Sequence, residues 1–154
     1  MDALQRLKLL SSDMALEPAE DHGCPRLDAR SSHPDRLVLS QAILPNGKRI
    51  ALLKSLLTSA CERNCYYCPF RAGRDFRRAT FKPDEFASTF INLHRAGLVQ
   101  GTFISSGVIG GGVRTQDKLI EVAAILRAKY SYRGYIHLKI MPGAERDQVE
   151  QAML

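Results

Sequence analysis

No run in this chain approaches the ~18 apolar residues of a membrane span, and charges interrupt each short apolar run near the N-terminus, so no secretory pattern is visible. Both absences point to a cytoplasmic protein with no membrane partner. Cysteine is scarce: there are four in 154 residues, Cys24, Cys61, Cys65 and Cys68. Three of them are crowded together, which argues against the spread disulfide framework of small secreted chains. Acidic residues are outnumbered, 16 against 22 lysines and arginines, for a formal charge of +6. Hydrophobic residues make up 45% of the chain, enough for one domain with a real core.

What is present is concentrated between residues 61 and 82. Cys61-Glu62-Arg63-Asn64-Cys65-Tyr66-Tyr67-Cys68 has the spacing C-x₃-C-x₂-C, with an aromatic residue before the last cysteine. Arg63, Arg71, Arg74, Arg77, Arg78 and Lys82 flank it against only Glu62 and Asp75. Such an excess favours an anionic partner: a nucleic acid, a phosphorylated substrate or a negatively charged electron donor. The alternative is a solvated basic surface that also balances a negative iron–thiolate cluster. Cys24 stands apart in a polar stretch and reads as a spare thiol, with a fourth ligand as the alternative.

The chain divides at residue 36. Residues 1–36 begin with a short helix carrying Leu4, Leu7, Leu9 and Leu10, then run through Pro18, Pro25 and Pro34 as a polar loop or disordered linker. Residues 37–154 alternate strand and helix. Leu37 to Leu44 suits a strand, Pro45-Asn46-Gly47 a turn, and Ile50 to Leu57 a buried strand, with helix a live alternative for so leucine-rich a run. Pro83, Asp84 and Glu85 open a helix whose buried face is Phe86, Phe90, Leu93 and Gly97. Leu98 to Ser105 is the next strand. A second helix carries Leu119, Val122, Ala123, Leu126 and Tyr130 on one stripe. Tyr135 to Ile140 is the third strand, and a third helix from Glu145 turns Val149, Ala152 and Met153 inward. The order β-α-β-α-β-α predicts an α/β fold with a parallel sheet. Three such units make half a barrel or a small open sheet, which suggests a truncated fragment of a longer protein. The cysteine run then falls after the C-terminal end of a strand, where parallel α/β barrels place their reactive groups.

Zinc and iron–sulfur chemistry both fit clustered thiols. Structural zinc requires four ligands, and His22, His33, His94 and His137 are scattered, with none forming a partner motif to Cys61, Cys65 and Cys68. Gaps of two and three residues are ordinary in cluster-binding runs, and three thiolates can hold three irons of a [4Fe-4S] cluster while leaving the fourth open. The glycines at 107 and 110–112 complete neither G-x-G-x-x-G nor a phosphate loop ending in Gly-Lys-Ser/Thr. A plain flexible turn competes with a ligand loop there. Lys54 and Lys139 interrupt apolar strands; they and His137 could face a substrate or reach solvent. Arg71, Arg74 and Arg78 suit phosphate clamping or shielding of a cluster.

C-x₃-C-x-[aromatic]-C after a buried strand resembles the radical S-adenosylmethionine superfamily. The resemblance implies a partial parallel (β/α) barrel, of which about three β/α units are present. It implies a [4Fe-4S] cluster on Cys61, Cys65 and Cys68, with the open iron binding S-adenosylmethionine. It further implies that reductive cleavage of that cosubstrate generates a 5′-deoxyadenosyl radical, fed by a low-potential donor such as flavodoxin or ferredoxin. Tyr67 would lie near the adenine. Ser105, Ser106 and Gly107 occupy the place where the superfamily often has a glycine-rich loop ending in glutamate that binds the methionine amino group. No glutamate follows directly here, so that recognition would fall to backbone carbonyls or serine hydroxyls. Thr58-Ser59-Ala60, Pro69 through Asp75, Ser105-Ser106-Gly107 and Arg114-Thr115-Gln116-Asp117 are similar to a bacterial group of these proteins associated with DNA modification or repair. The similarity covers roughly residues 42–154. The group's C-terminal helix-hairpin-helix DNA-binding segment does not occur within these 154 residues. The alternative function is a non-catalytic module that holds iron–sulfur or zinc and binds nucleic acid through its basic loop.

Overall fold

The computed structural model describes residues 1–14, 37 and 39–153; the expectations on residues 15–36, Cys24 among them, lie outside the described residues. Helix α1 (Ala3–Asp13) is followed by strands β1 (Ser40–Ile43) and β2 (Arg49–Leu56), helix α2 (Pro83–Arg95), β3 (Gly101–Ser105), α3 (Gly112–Ala128), β4 (Tyr135–Leu138) and α4 (Arg146–Ala152). The strands form one open, mixed sheet in the order β1-β2-β3-β4. The expected alternation is present from β2 to α4, with β2, β3 and β4 parallel. β1 adds an antiparallel edge, because the Pro45-Asn46-Gly47 turn folds it straight back on β2. Gly47 takes a φ of 79° there, and the Asn46 side chain accepts from the Lys48 N–H at 3.0 Å. Among the described residues no helix is long and apolar enough to cross a membrane.

Helix α2 starts as its sequence suggests, with Pro83 in the first turn and the Glu85 side chain accepting from the Lys82 N–H at 3.2 Å. It ends earlier than the expected apolar face. Gly97 is exposed, has a φ of 74° and closes the helix; its N–H bonds to the His94 carbonyl and that of Leu98 to Leu93. This paired closure consumes Leu98, which is therefore exposed, and β3 begins only at Gly101. In α4 the inward residue is Gln148, whose amide donates to the Val113 carbonyl at 2.9 Å, whereas Met153 at the helix end is 82% exposed.

The core joins Leu53, Leu56 and Leu57 to Phe81, Phe86 and Phe90 from the α2 region, Ile104 from β3, and Leu119, Val122 and Leu126 from α3. Helix α1 belongs to it: Leu7 and Leu10 are fully buried in the same cluster. A hydrogen-bonded ion pair fastens this helix, with Arg6 donating to both Glu85 oxygens at 2.9 and 3.1 Å. Register places Lys54, Phe103 and His137 in one row across β2, β3 and β4. Lys54 and Phe103 are half-buried, and His137 is exposed with its ring edge-on to Phe103 at 4.7 Å.

Candidate functional site

Two loops leave the C-terminal end of the parallel strands. The long one joins β2 to α2 and contains the cysteines; the short one joins β3 to α3 and contains the glycines. The long loop is stitched shut at its base. The Ser59 N–H donates to the Ala79 carbonyl at 3.0 Å, the Ala79 N–H to the Ser59 hydroxyl at 3.1 Å, and the Thr58 and Thr80 hydroxyls lie 2.6 Å apart. What lies between is a closed excursion, with all three cysteines inside it.

Cys61 and Cys68 are half-buried and Cys65 is exposed; all three are free thiols. The Cys61 sulfur accepts from the N–H groups of Arg63 at 3.4 Å and Val108 at 3.5 Å. Hydrogen bonds to a ligand sulfur of this kind adjust the electronics of a bound metal. The Cys68 N–H donates to the Cys65 carbonyl at 3.0 Å, so these two share one turn. Tyr66 and Tyr67, between them, are 85% and 91% exposed, and the Arg71 guanidinium lies 5.4 Å from the Tyr66 ring centre. Among the described residues no three Cys, His, Asp or Glu side chains converge to hold a metal ion. The loop thus gathers the three thiols along one short stretch without bringing their sulfurs to a common point. As a donor set, three soft thiols with none tied in a disulfide fit an iron–sulfur cluster or zinc better than a hard cation.

The glycine loop is joined to the cysteine loop at several points besides the Val108 N–H bond to the Cys61 sulfur. Gly107 passes so close to Ala60 that an added Cβ would sit 2.1 Å from the Ala60 carbonyl oxygen, and the Gly107 N–H donates to the Thr58 carbonyl at 2.7 Å. The Glu62 N–H donates to the Val108 carbonyl at 2.8 Å. The Glu62 carboxylate accepts from Gly110 N–H at 2.8 Å and Gly111 N–H at 3.1 Å, at the start of α3. A carboxylate does reach the glycines, then, but from inside the cysteine run. Sequence reading missed it because the two partners are almost fifty residues apart and only the fold brings them together. Ser105 and Ser106 are buried, and the Ser106 hydroxyl donates to the neighbouring Gly107 carbonyl at 2.8 Å. Gly107 therefore borders the cysteine loop, with Ser105 and Ser106 just before it in the chain, while Tyr67 projects from that loop.

Of the arginines, Arg63, Arg74 and Arg77 are exposed. Arg78 is turned inward: its guanidinium donates to the carbonyls of Ser59, Phe70, Arg71 and Arg74. Those bonds occupy the fork that a phosphate would need. Asp13, at the end of α1, is buried, and one of its carboxylate oxygens has no hydrogen-bond partner among the described residues. Burial pushes its carboxyl up to about 6, against an opposing pull from the charge of Arg78. No family model, no curated protein and no solved structure matches this chain.

Proposed function

We propose that this chain is part of a radical S-adenosylmethionine enzyme, its sheet a section of a partial (β/α) barrel. Cys61, Cys65 and Cys68 would hold a [4Fe-4S] cluster, and Tyr67, Ser105, Ser106 and Gly107 would border S-adenosylmethionine. The supporting observation is the junction of the two loops: a three-thiol loop after one parallel strand is locked, through Gly107 and Glu62, to the glycine loop after the next. When bound, the cluster would supply the electron that cleaves the cosubstrate into methionine and a 5′-deoxyadenosyl radical. The protein's own part is to fix the thiols, shield Cys61 beneath the glycine loop and offer N–H donors to its sulfur. Exposed Arg63, Arg74, Arg77 and Lys82 around the cysteines suit an anionic partner. DNA as substrate and an acidic flavodoxin or ferredoxin as electron donor are the partners in this reading.

Anaerobic reconstitution with iron and sulfide tests it. The expected product shows a reduced-cluster electron paramagnetic resonance signal that changes on adding S-adenosylmethionine, and it releases 5′-deoxyadenosine on reduction. Cys65→Ala abolishes the signal and Cys24→Ala preserves it; equal loss in both refutes the ligand assignment. A second reading, a non-catalytic metal-binding module for nucleic acid, draws on the exposed Tyr66 and Tyr67 beside Arg71, since exposed aromatics flanked by cations stack well on bases. Tight uptake of one zinc ion with no cluster formation would favour it.

A further inference from the structure

The carbonyls that Arg78 binds lie on both sides of the cysteines. Ser59 stands two residues before Cys61, and Phe70, Arg71 and Arg74 follow Cys68. A single side chain thus ties the incoming and outgoing arms of the loop together. Guanidinium suits this task because it presents five N–H donors in a rigid plane and keeps its charge. Charge-assisted bonds to carbonyls in a half-buried setting are also stronger than neutral ones. Beyond the Ser59–Ala79 bond at the base, a backbone bond from the Ala72 N–H to the Arg63 carbonyl at 2.8 Å also crosses the loop. Few apolar side chains are available to do this work. Between residues 58 and 80 only Phe70 and Ala79 are buried hydrophobics, and Phe76 stacks edge-on against Phe70 with Arg78 over its ring. The Arg78 charge is also felt by the buried carboxylate of Asp13, at the end of α1.

We propose that Arg78 is the positioning residue of the cysteine loop, clamping its two arms through backbone carbonyls so that Cys61, Cys65 and Cys68 are kept within one closed loop before any metal arrives. The cluster part rests on the function proposed above; the clamp does not. An open loop must lose chain entropy when its thiols gather on a metal, and a loop already closed at its base has lost most of it. Arg78 contributes no ligand and touches no thiol; it acts through the backbone.

The test compares the full chain with its Arg78→Gln, Arg78→Lys and Arg74→Gln variants, the last removing an exposed arginine of the same loop. In reduced, metal-free protein, alkylation of each cysteine is timed by peptide mass spectrometry. Arg78→Gln is expected to speed labelling of half-buried Cys61 and Cys68 about tenfold, the loss of one or two charge-assisted bonds, and to leave exposed Cys65 nearly unchanged. Arg78→Lys, with one donor nitrogen in place of the fork, falls between, and Arg74→Gln matches the unaltered chain. Iron and sulfide content after reconstitution should follow the same order. Unchanged labelling in both Arg78 variants overturns the proposal, as does equal cluster content in the presence of faster labelling. If Arg78→Gln loses its helical circular dichroism, Arg78→Lys decides by the same two readouts; unfolding of both overturns a role confined to the loop. If the unaltered chain takes up no cluster, the proposed function fails, and the labelling order alone still judges the clamp.

Discussion

Between Thr58 and Thr80 the chain buries two hydrophobic side chains, Phe70 and Ala79, while the elements around that loop bury Leu7, Leu10, Leu53, Phe86, Phe90, Ile104, Leu119, Val122 and Leu126 almost completely. The scaffold is held by close-packed apolar volume, the loop by hydrogen bonds from Arg78, Thr58, Ser59 and Glu62. Packing is cooperative and spread over many contacts, so its loss is felt globally. Hydrogen bonds to particular carbonyls fail one at a time, so their loss is felt locally. The difference teaches where function and stability separate in this molecule: substitutions in the loop should change what the thiols do, and substitutions in the scaffold should change whether the chain folds.

The largest expected effect tests the scaffold half of that contrast. Phe90 is fully buried and meets Tyr132 edge-on at 5.1 Å. Phe90→Ala is expected to cost about 3–5 kcal/mol in denaturant unfolding. Tyr67→Ala, at a ring 91% exposed, should leave the midpoint unchanged. Similar losses in the two would break the contrast.

Gly107→Ala strikes the seam between the regions. The new methyl would meet the Ala60 carbonyl, and both groups are backbone, so neither can swing aside. The expected cost is about 1–3 kcal/mol, together with separation of the glycine loop from the cysteine loop. Faster alkylation of Cys61, whose sulfur sits under the Val108 N–H, reports that separation. A stable variant with unchanged Cys61 labelling would mean that the seam is not where the two loops are joined.

How much of this was legible beforehand differs between the same two regions. The strand–helix alternation from β2 to α4 and the buried faces of α2 and α3 could be read from periodicity, because apolar spacing encodes packing. The antiparallel edge β1 followed from a turn signal already visible in Asn46-Gly47, though its direction was not drawn from it. Helix ends were misjudged at Gly97 and Met153, where backbone closure and exposure override apolar identity. In the loop, the spacing of the cysteines was plain and their surroundings were not. Arg78 suited a phosphate clamp or a shield for cluster charge, because a sequence shows charge and hides carbonyls. Glu62 counted only as a charge, and Asp13 drew no attention, because their partners lie far away along the chain.

Asp13 carries a smaller effect, of the opposite sign. Its carboxyl ordinarily titrates near 3.8 and is raised to about 6 here, chiefly by burial, with the Arg78 charge opposing. Below about pH 4 the group is protonated in both folded and unfolded chains and costs nothing. As pH rises from about 4 to about 6 the unfolded chain has released its proton and the folded chain has not, so stability falls, and above that the deficit is constant. Asp13→Asn should therefore match the unaltered chain below about pH 4 and exceed it by up to about 3 kcal/mol at pH 7. The variant leaves the bonds from Arg78 to the loop carbonyls in place, so Cys61 and Cys68 should label as in the unaltered chain: a more stable scaffold under an unchanged loop. Stability and labelling moving together would contradict the separation of the two regions.

Glu62 gives the smallest change in stability and the sharpest comparison of the two loops. Its side chain is 42% exposed, so water can replace what is lost, and Glu62→Gln should shift unfolding by less than about 1 kcal/mol. The chemical difference is nevertheless specific. The carboxylate gives one oxygen each to Gly110 and Gly111, at 2.8 and 3.1 Å. A glutamine has one carbonyl oxygen, and its amide cannot accept, so one glycine N–H loses its protein partner. Amide hydrogen exchange should then quicken at Gly110 or Gly111 while the α3 interior around Leu119 and Val122 stays protected, since those residues are fully buried and remote from the change. Arg78→Gln should do the reverse, loosening the 61–77 stretch and leaving the glycines as they were. If either substitution quickens exchange in both loops equally, the clamp and the glycine contact form one cooperative unit, and the loop is held more like the scaffold than its polar contacts imply.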